Sequence, residues 1–268
     1  MDSSMIGTGL KYECLLFDMD DTLYPLSTGL NLACRHNIQE YMIQHLQIDE
    51  AEVPNMCLDL YKEHGTTMAG LKAMGYEFDD DEFHAHIHGK LPYENLKPDP
   101  VLRNLLLSMP QRKIVRKSKL CVEGETASYW VFLQVFTNAD KAHAARVLSN
   151  LGVEDCFEGV ICFETLNPHN SSKILCKPAL EAMETAIKIA DVDPSKTMFF
   201  DDSARNILSG KEAGLHTVIV GSSGLVPGAD YALNSIHNIR DGIPQLWEED
   251  ILVDQNYPSL SVETVVLA

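Results

Sequence analysis

The sequence predicts an α/β protein built around a doubly wound parallel sheet, because apolar runs alternate with helix-like segments along the chain. Three of these runs, at residues 15–17, 131–136 and 197–200, end abruptly in carboxyl, hydroxyl or amide side chains. Runs of this length are typical of buried strands. Open sheets of this class bind ligands at the carboxyl edge of their strands, so we expect the polar residues after each run to form a site.

The first apolar run is followed by two carboxylates, Asp18 and Asp20, with Asp21 adjacent. A turn that begins at Asp18 would let both side chains surround one small site. Clustered carboxylates repel one another unless a cation lies among them, and a hard divalent ion such as Mg²⁺ suits oxygen ligands. One carboxylate could then attack an electrophile while the other moves protons. The alternative on this stretch alone is an acidic turn without chemistry.

Three further segments extend the pattern in order along the chain. Residues 136–140 read Phe-Thr-Asn-Ala-Asp and follow the second apolar run. Lys177 stands just before a helix-like segment, residues 179–190, with Pro178 suited to the first helical turn. The third apolar run ends in paired acids within residues 197–203. Each segment therefore lies at a predicted strand end or helix start, where ligands bind.

Apolar spacing predicts the other elements. The predicted helices are residues 53–61, 68–74, 101–109, 141–151, 179–190 and 206–213, and the further strands are 159–163 and 217–220. Gly152 is suited to ending one helix, and a proline-rich stretch at residues 91–100 predicts a connector. An acidic turn is expected at residues 79–82.

The four segments together resemble the signature motifs of the haloacid dehalogenase (HAD) superfamily of phosphohydrolases. Their finer pattern resembles its pyrimidine 5′-nucleotidase-like branch, especially the plant proteins. The similarity runs from about Tyr12 to Gly221. It implies a Rossmann-like core, residues 11–26 and 93–245, with an inserted α-helical cap at residues 27–92 that excludes water and selects substrates. We expect residues 246–268 to be a docked or frayed tail.

The resemblance implies a Mg²⁺-dependent phosphomonoesterase. Asp18 would be the nucleophile, would form an aspartyl-phosphate and would bind Mg²⁺ through its other oxygen. Asp20 would act as general acid and then as general base, with its backbone carbonyl on the metal. The presence of both acids favours phosphate hydrolysis over dehalogenation. The expected substrate is a small metabolite such as a pyrimidine nucleoside 5′-monophosphate; the alternatives are a sugar or cofactor phosphate, or an idle binding protein.

The remaining roles also follow from the resemblance. Thr137 and Asn138 would donate hydrogen bonds to the phosphoryl oxygens, and Lys177 would neutralise charge on the nucleophile and phosphoryl group. Asp202 would be a direct metal ligand. Asp201 would support the metal from behind its ligands.

Two parts of the predicted cap invite a functional interpretation. His84, His86 and His88 would share one face of a strand and could bind a transition metal there; the favoured alternative is a partly exposed segment without a ligand. A second set, His64, Thr66 and Thr67, lies in a loop and could contact a nucleobase or sugar. The alternative there is a helix-capping turn, because glycine at position 65 stops helices and threonine starts them.

Residues 115–134 depart from the family pattern, in which Lys113-Ile114 would run directly into Val135-Phe136. The segment begins Val-Arg and ends Leu-Gln, which GTA-AGG and TTG-CAG can encode, as at the edges of a retained intron. It is therefore either a splice or gene-model artefact or a genuine flap. In the second case residues 131–136 would supply the strand instead.

Composition is consistent with a single soluble cytoplasmic enzyme. The 268 residues, 45% hydrophobic, are enough to bury a large core. A formal charge of −18 argues against a nucleic-acid surface, and neither a membrane-spanning apolar run nor a secretory leader is evident. Seven cysteines without a Cys-x-x-Cys pair are typical of reduced thiols.

Overall fold

The computed structural model describes residues 12–109, 132–168 and 173–247. In these ranges six strands form one parallel sheet in the order β3-β2-β1-β4-β5-β6. The strands are β1 (Cys14–Phe17), β2 (Phe132–Phe136), β3 (Gly159–Ile161), β4 (Thr197–Asp201), β5 (His216–Val220) and β6 (Tyr231–Leu233). The helices are α1 (Leu30–Gln44), α2 (Val53–His64), α3 (Thr67–Ala73), α4 (Asp80–Gly89), α5 (Pro100–Ser108), α6 (Lys141–Leu151), α7 (Phe163–Leu166), α8 (Leu180–Ala190), α9 (Ala204–Glu212) and α10 (Ile239–Gly242).

The central strands are buried on both faces, which explains their uninterrupted apolar sequences. One face packs against α5, α6 and the chain after β6, through residues such as Leu15, Val135 and Leu148. The other face packs against α8 and α9, through residues such as Leu16 and Met183. Helices on both faces of a parallel sheet confirm the predicted doubly wound α/β fold.

The strand order places a topological switch point beside β1. From β1 the chain moves outward through β2 and β3 on one side, whereas β4, β5 and β6 lie on the other side. Phe17 is in register with Val135 of β2 and with Phe200 of β4. The residues that follow β1, β2 and β4 therefore reach the same edge at the place where open sheets bind ligands.

Helices α1–α4, hereafter the helical block (residues 30–89), have a separate apolar core. Tyr41, Met42, Leu60, Leu71 and Phe83 are among its buried residues. No helix in the described ranges is both long and apolar enough to span a membrane. The six cysteines within those ranges form no disulfides.

Several local predictions were wrong. The less favoured interpretation of His84, His86 and His88, a strand with all three on one face, is wrong because they lie in helix α4. The expected acidic turn at residues 79–82 is instead the start of that helix, where the Asp79 side chain accepts a hydrogen bond from the Glu82 backbone N–H. The predicted strand at 159–163 ends at Ile161, and α7 begins at Phe163.

Two further differences concern the core. Pro178 follows a cis peptide bond and precedes α8, which begins at Leu180, so it does not occupy the first helical turn. Strand β6 was not predicted. Residues 132–134, the last part of the unusual segment, lie in β2 and pair with β1, whereas Lys113-Ile114 lies outside the described residues. Most of the C-terminal tail is also outside them, although Leu246 is buried against the core.

Candidate active site

Strand β1 delivers Asp18 to the carboxyl edge of the sheet. The Asp18 N–H donates to the Phe200 carbonyl over 2.8 Å, which extends the pairing with β4 by one residue. The chain then turns, and the Leu23 N–H bonds to the Met19 carbonyl over 2.9 Å. The chain therefore turns directly after Asp18, as the sequence predicts, and the charge of Asp20 is near enough to raise the pKa of Asp18.

Lys177 joins the ends of three strands. Its side chain is 1% exposed, and Nζ donates to Asp18 Oδ1 over 2.6 Å, to Asp201 Oδ2 over 2.8 Å and to the Phe136 carbonyl over 2.8 Å. Burial would lower the pKa of this ammonium group, but Asp18 and Asp201 raise it above its ordinary value. The lysine therefore remains charged at the centre of the site.

Negative charge still exceeds positive charge around this lysine. Carboxylate oxygens of Asp18, Asp201 and Asp202 all lie within 4.8 Å of one another. Burial raises the pKa of Asp18 despite the Lys177 charge, and its acidic neighbours raise it further. Loss of hydration, together with Asp201, raises the pKa of Asp202 to about 7. A divalent cation would relieve this repulsion, and an all-oxygen donor set fits Mg²⁺.

The two neighbouring acids have different surroundings. Asp201 is fully buried and accepts hydrogen bonds from Lys177, from the Ser203 backbone N–H and from the Asn206 amide. Asp202 is exposed at the edge of the sheet. Both oxygens of Asp201 are thus already engaged by the protein, whereas Asp202 faces solvent.

The segment after β2 contacts the lysine rather than the acids. The Asn138 amide donates to the Lys177 carbonyl over 3.0 Å, and its oxygen accepts from the Lys177 N–H over 2.8 Å. Thr137 is buried, and its hydroxyl accepts from the Ala139 N–H over 3.0 Å. The Asn138 side chain therefore holds the main chain that carries Lys177.

Asp20 accepts hydrogen bonds from a second set of residues. His143 Nε2 lies 2.8 Å from Asp20 Oδ1, and the Tyr24 hydroxyl donates to the same oxygen over 2.5 Å. Burial would raise the pKa of Asp20, but His143 and Tyr24 lower it below its ordinary value. The His143 ring is buried, with Nδ1 2.6 Å from the Tyr93 hydroxyl.

The loop between α2 and α3 contains the turn that the sequence offered as an alternative. Gly65 ends α2 with φ +88°, and the Thr66 side chain caps α3 by accepting from the Ala69 N–H. The Thr67 hydroxyl is buried and donates to the Cys57 carbonyl over 3.1 Å, inside the helical block. The His64 carbonyl accepts from Cys176, the residue before Lys177. A sugar or base contact by His64, Thr66 or Thr67 stays a prediction.

Two of the three α4 histidines, His84 and His88, stack in a column with His143. His84 stacks on His88 at 5.7 Å between ring centroids, and His88 stacks on His143 at 4.3 Å. His88 Nδ1 hydrogen-bonds Asp140, which also caps α6 through the His143 N–H. His86 points elsewhere, towards Glu40. In the described ranges the three α4 histidines form no group able to hold a metal.

Sequence reasoning did not identify His143, Tyr24 or Tyr93 as parts of the site. His143 carries one available signal, because it lies on the apolar face of α6 with Ala144 and Val147. A histidine on a buried face requires polar partners. The pattern does not show that one of them is Asp20, which is 123 residues away in sequence.

Comparison with known proteins defines the class. The sequence model of the haloacid dehalogenase-like hydrolases matches residues 12–214, and the chain belongs to this family of hydrolases. Phosphate metabolism protein 8 of Saccharomyces cerevisiae is 29% identical over 205 residues, covering 76% of this chain and 60% of that protein, so the match spans less than two thirds of the relative. Glyceraldehyde 3-phosphate phosphatase of Methanocaldococcus jannaschii is 24% identical over 249 residues, covering 87% of this chain and 97% of that protein.

Solved structures share the fold. The HAD hydrolase YfnB of Bacillus subtilis bound to magnesium aligns with a TM-score of 0.54 and 19% identity, covering 86% of this chain and 97% of that chain. CbbY of Rhodobacter sphaeroides in complex with phosphate aligns with a TM-score of 0.56 and 16% identity, covering 88% and 99%.

Proposed function

We propose that this chain is a Mg²⁺-dependent phosphomonoesterase that works through an aspartyl-phosphate on Asp18. The observation that carries the proposal is the buried lysine that joins Asp18 and Asp201, next to an exposed Asp202 and a separate acid, Asp20. Burying two carboxylates and an ammonium group costs free energy. An acidic turn without chemistry does not explain such a buried cluster, whereas a catalytic site does.

In the first half-reaction, an Asp18 carboxylate oxygen attacks phosphorus while the bond from phosphorus to the ester oxygen breaks. Asp20 gives its proton to that leaving oxygen. In the second half-reaction, Asp20 takes a proton from water as the water oxygen attacks phosphorus. The bond to Asp18 then breaks and releases inorganic phosphate. Lys177 stabilises the negative charge that gathers on the phosphoryl oxygens and on Asp18.

Asp18 and Asp202 would hold the Mg²⁺ ion by their carboxylates, with the Asp20 backbone carbonyl as a further ligand and Asp201 supporting them from the interior. The ion would supply positive charge to the phosphoryl oxygens and orient them for in-line attack. Thr137 and Asn138 are proposed as donors to the phosphoryl group. For Asn138 the contacts with Lys177 occupy the amide oxygen and one donor direction, which leaves the other amide hydrogen.

The helical block is proposed as a cap that covers the site and selects the substrate, within the boundaries 27–92 expected from the sequence. Its α2–α3 loop rests against the lysine segment, since a Cβ atom built on Gly65 would lie 2.3 Å from the Lys177 carbonyl oxygen. The proposed substrate is a small phosphorylated metabolite. A pyrimidine nucleoside 5′-monophosphate is the first candidate, from the resemblance of the motifs to that branch.

The second candidate is the phosphate ester of a small sugar or related carbonyl compound. It is favoured by the match to a glyceraldehyde 3-phosphate phosphatase, which extends over 97% of that protein. Both candidates use the same chemistry on Asp18 and Asp20. They differ only in what the helical block contacts.

The test is phosphate release from a panel that contains UMP, CMP, glyceraldehyde 3-phosphate and an aryl phosphate, with and without EDTA. We expect release to require Mg²⁺ and to disappear in Asp18→Asn, with UMP or CMP hydrolysed fastest. Faster hydrolysis of another ester would keep the mechanism and overturn the nucleotidase assignment. A folded protein that hydrolyses none of them would favour an idle binding member of the family.

A further inference from the structure

The His143 ring is held at both nitrogens and on one face by described residues. Its Nδ1 meets the Tyr93 hydroxyl at 2.6 Å and its Nε2 meets Asp20 at 2.8 Å. The His88 ring stacks on one face with an angle of 24° between the ring planes. The backbone N–H of His143 donates to Asp140, which caps α6. The ring cannot rotate without breaking a hydrogen bond, so the position of Nε2 is set by the fold.

The hydrogen bonds also fix which oxygen of Asp20 is held. Oδ1 accepts hydrogen bonds both when Asp20 is ionised and when its proton is on Oδ2, so Nε2 of His143 carries the hydrogen in the bond to Oδ1. The Tyr93 hydroxyl then donates to Nδ1 when the ring is neutral. Tyr24 donates to Oδ1 as well. No side chain or backbone N–H in the described part of the chain donates to the other oxygen, Oδ2.

We propose that His143 is a positioning residue for Asp20: it holds Oδ1 so that Oδ2 exchanges the proton with the leaving oxygen and then with water. The inference rests on the proposed function, because it requires Asp20 to be the general acid and base. In the first half-reaction the Oδ2 proton moves to the ester oxygen as its bond to phosphorus breaks. In the second, water gives a proton to Oδ2 as its oxygen bonds to phosphorus. His143 keeps its own protons throughout.

Two substitutions separate the donor from the rest of the ring. In His143→Gln the side-chain amide reaches about as far as Nε2 and can still donate to Asp20. In His143→Asn the amide lies near the position of Nδ1, so it can keep the Tyr93 contact but not the one to Asp20. The two variants have the same chemical groups, which makes each the control for the other.

The experiment measures kcat/KM for two esters, p-nitrophenyl phosphate and the alkyl phosphate that the wild type hydrolyses best. An aryl oxide leaves without help from an acid, whereas an alkoxide needs the Asp20 proton. Because kcat/KM reports steps up to formation of the aspartyl-phosphate, the later use of Asp20 as a base does not affect it. We expect His143→Asn to lower the alkyl value by about 10- to 100-fold, the effect of losing one hydrogen bond to a charged group. The aryl value should fall by less than about 3-fold, and His143→Gln should recover most of the alkyl value.

Equal losses on both esters in a folded His143→Asn protein would show a merely structural role and overturn the inference, as would no loss on either ester. If His143→Asn does not fold, Tyr93→Phe tests the same chain of contacts from one residue further away, and it should again act on the alkyl ester alone. A wild-type protein that hydrolyses neither ester, or an Asp18→Asn variant that hydrolyses both, would overturn the proposed function instead.

Discussion

Asp18 and Asp20 are separated by one residue, yet the protein surrounds them in opposite ways. Around Asp18 the main contact is a buried ion pair with Lys177, which also pairs with Asp201, and the Thr22 hydroxyl adds one hydrogen bond. Around Asp20 the donors are the Tyr24 phenol and the His143 imidazole, whose charge also lowers the pKa of Asp20. The pKa of Asp18 is raised, mainly by burial, whereas His143 and Tyr24 lower that of Asp20 against the effect of burial.

The comparison shows how one short turn can carry two kinds of acid. A cluster held together by buried ion pairs tolerates substitution poorly, because removing one partner leaves another charge buried and unpaired. A cluster of hydrogen bonds loses less when one donor is removed. The Asp18 side should therefore respond to substitution with large losses of both stability and activity. The Asp20 side should respond with smaller and more selective losses.

The largest effect is expected from Lys177→Met, which keeps the length of the side chain and removes its charge. Asp18 and Asp201 would then face each other without compensation. We expect the free energy of unfolding to fall by about 3–5 kcal/mol, and phosphate release to fall by about 10²- to 10³-fold. Urea unfolding and a phosphate assay measure the two effects.

Lys173→Met is the control, since Lys173 pairs with Glu181 at the surface and its loss should change neither quantity. An unfolding free energy of Lys177→Met equal to that of the wild type would show that the buried ion pairs of Lys177 do not stabilise the fold.

The next effect concerns how the helical block meets the lysine segment. Gly65 and Gly75 have almost the same φ, +88° and +87°, but only Gly65 has neighbours where a Cβ atom would lie, the closest being the Lys177 carbonyl oxygen. Gly75→Ala should destabilise by about 1–2 kcal/mol, the cost of the left-handed backbone alone. Gly65→Ala should cost about 1–3 kcal/mol more, because the backbone must shift. It should also lower kcat, since the shift moves Lys177. Equal effects of the two substitutions in urea unfolding would show that the loop does not press on that segment.

A smaller effect is expected from Asp140, which connects α4 to α6. Burial would raise its pKa, but hydrogen bonds from His88 and from the His143 backbone N–H hold it below its ordinary value. A group with a lowered pKa in the folded state contributes stability above its unfolded pKa, near 4, and loses it as the pH falls. Asp140→Asn keeps an acceptor for the helix cap and removes the charge. We expect it to cost about 1–3 kcal/mol at pH 7.

Urea unfolding at several pH values tests this sign. The difference between the wild type and Asp140→Asn should shrink as the pH falls below about 4, because the wild-type carboxylate is then progressively protonated. A difference that stays constant with pH would show that the charge contributes nothing. Asp140→Ala should cost about 1 kcal/mol more than Asp140→Asn at every pH, since it also removes the cap.

The smallest effect is expected from Tyr24→Phe. This substitution removes one of the two donors to Asp20 Oδ1 and leaves His143 in place. We expect kcat/KM on an alkyl phosphate to fall by about 2- to 10-fold, with little change in unfolding free energy. A steady-state assay on the alkyl and aryl esters measures it. A loss of kcat/KM as large as that from Lys177→Met would show that Asp20 depends on the Tyr24 donor as strongly as Asp18 depends on Lys177.

The sheet and its polar edge could be predicted because their signals are local. A run such as Leu15 to Phe17 shows burial by its composition, and the acids that follow it mark the strand end. Lys177 is different. It meets Asp18 across 159 residues, and no local pattern distinguishes it from a surface lysine. Only the order of the four motifs indicated its position.

The errors in the helical block have a physical explanation. Alternating histidines suggested a strand, but Asp79 with Glu82 three residues later is the signature of a helix start, and it determined the structure of that segment. The partners of His143 could not have been predicted, because burial on one face of α6 leaves the identity of the facing group open. Which residues meet across the site depends on how the helical block and the core pack together, and that is a property of the whole fold.

Several contacts between the α2–α3 region and the core are made to main-chain carbonyl oxygens. Arg205 donates to the Tyr61 and Lys62 carbonyls, Cys176 donates to the His64 carbonyl, and Gly65 lies against the Lys177 carbonyl. Every amino acid provides a carbonyl oxygen, so these contacts place few demands on the side chains of residues 62–64, whereas the Tyr61 ring also lies under the Arg205 guanidinium at 4.5 Å. Those side chains could change during evolution while the loop kept its position, and under the proposed role of the helical block as a cap the accepted substrates would change with them. Position 65 is the exception, where only glycine fits.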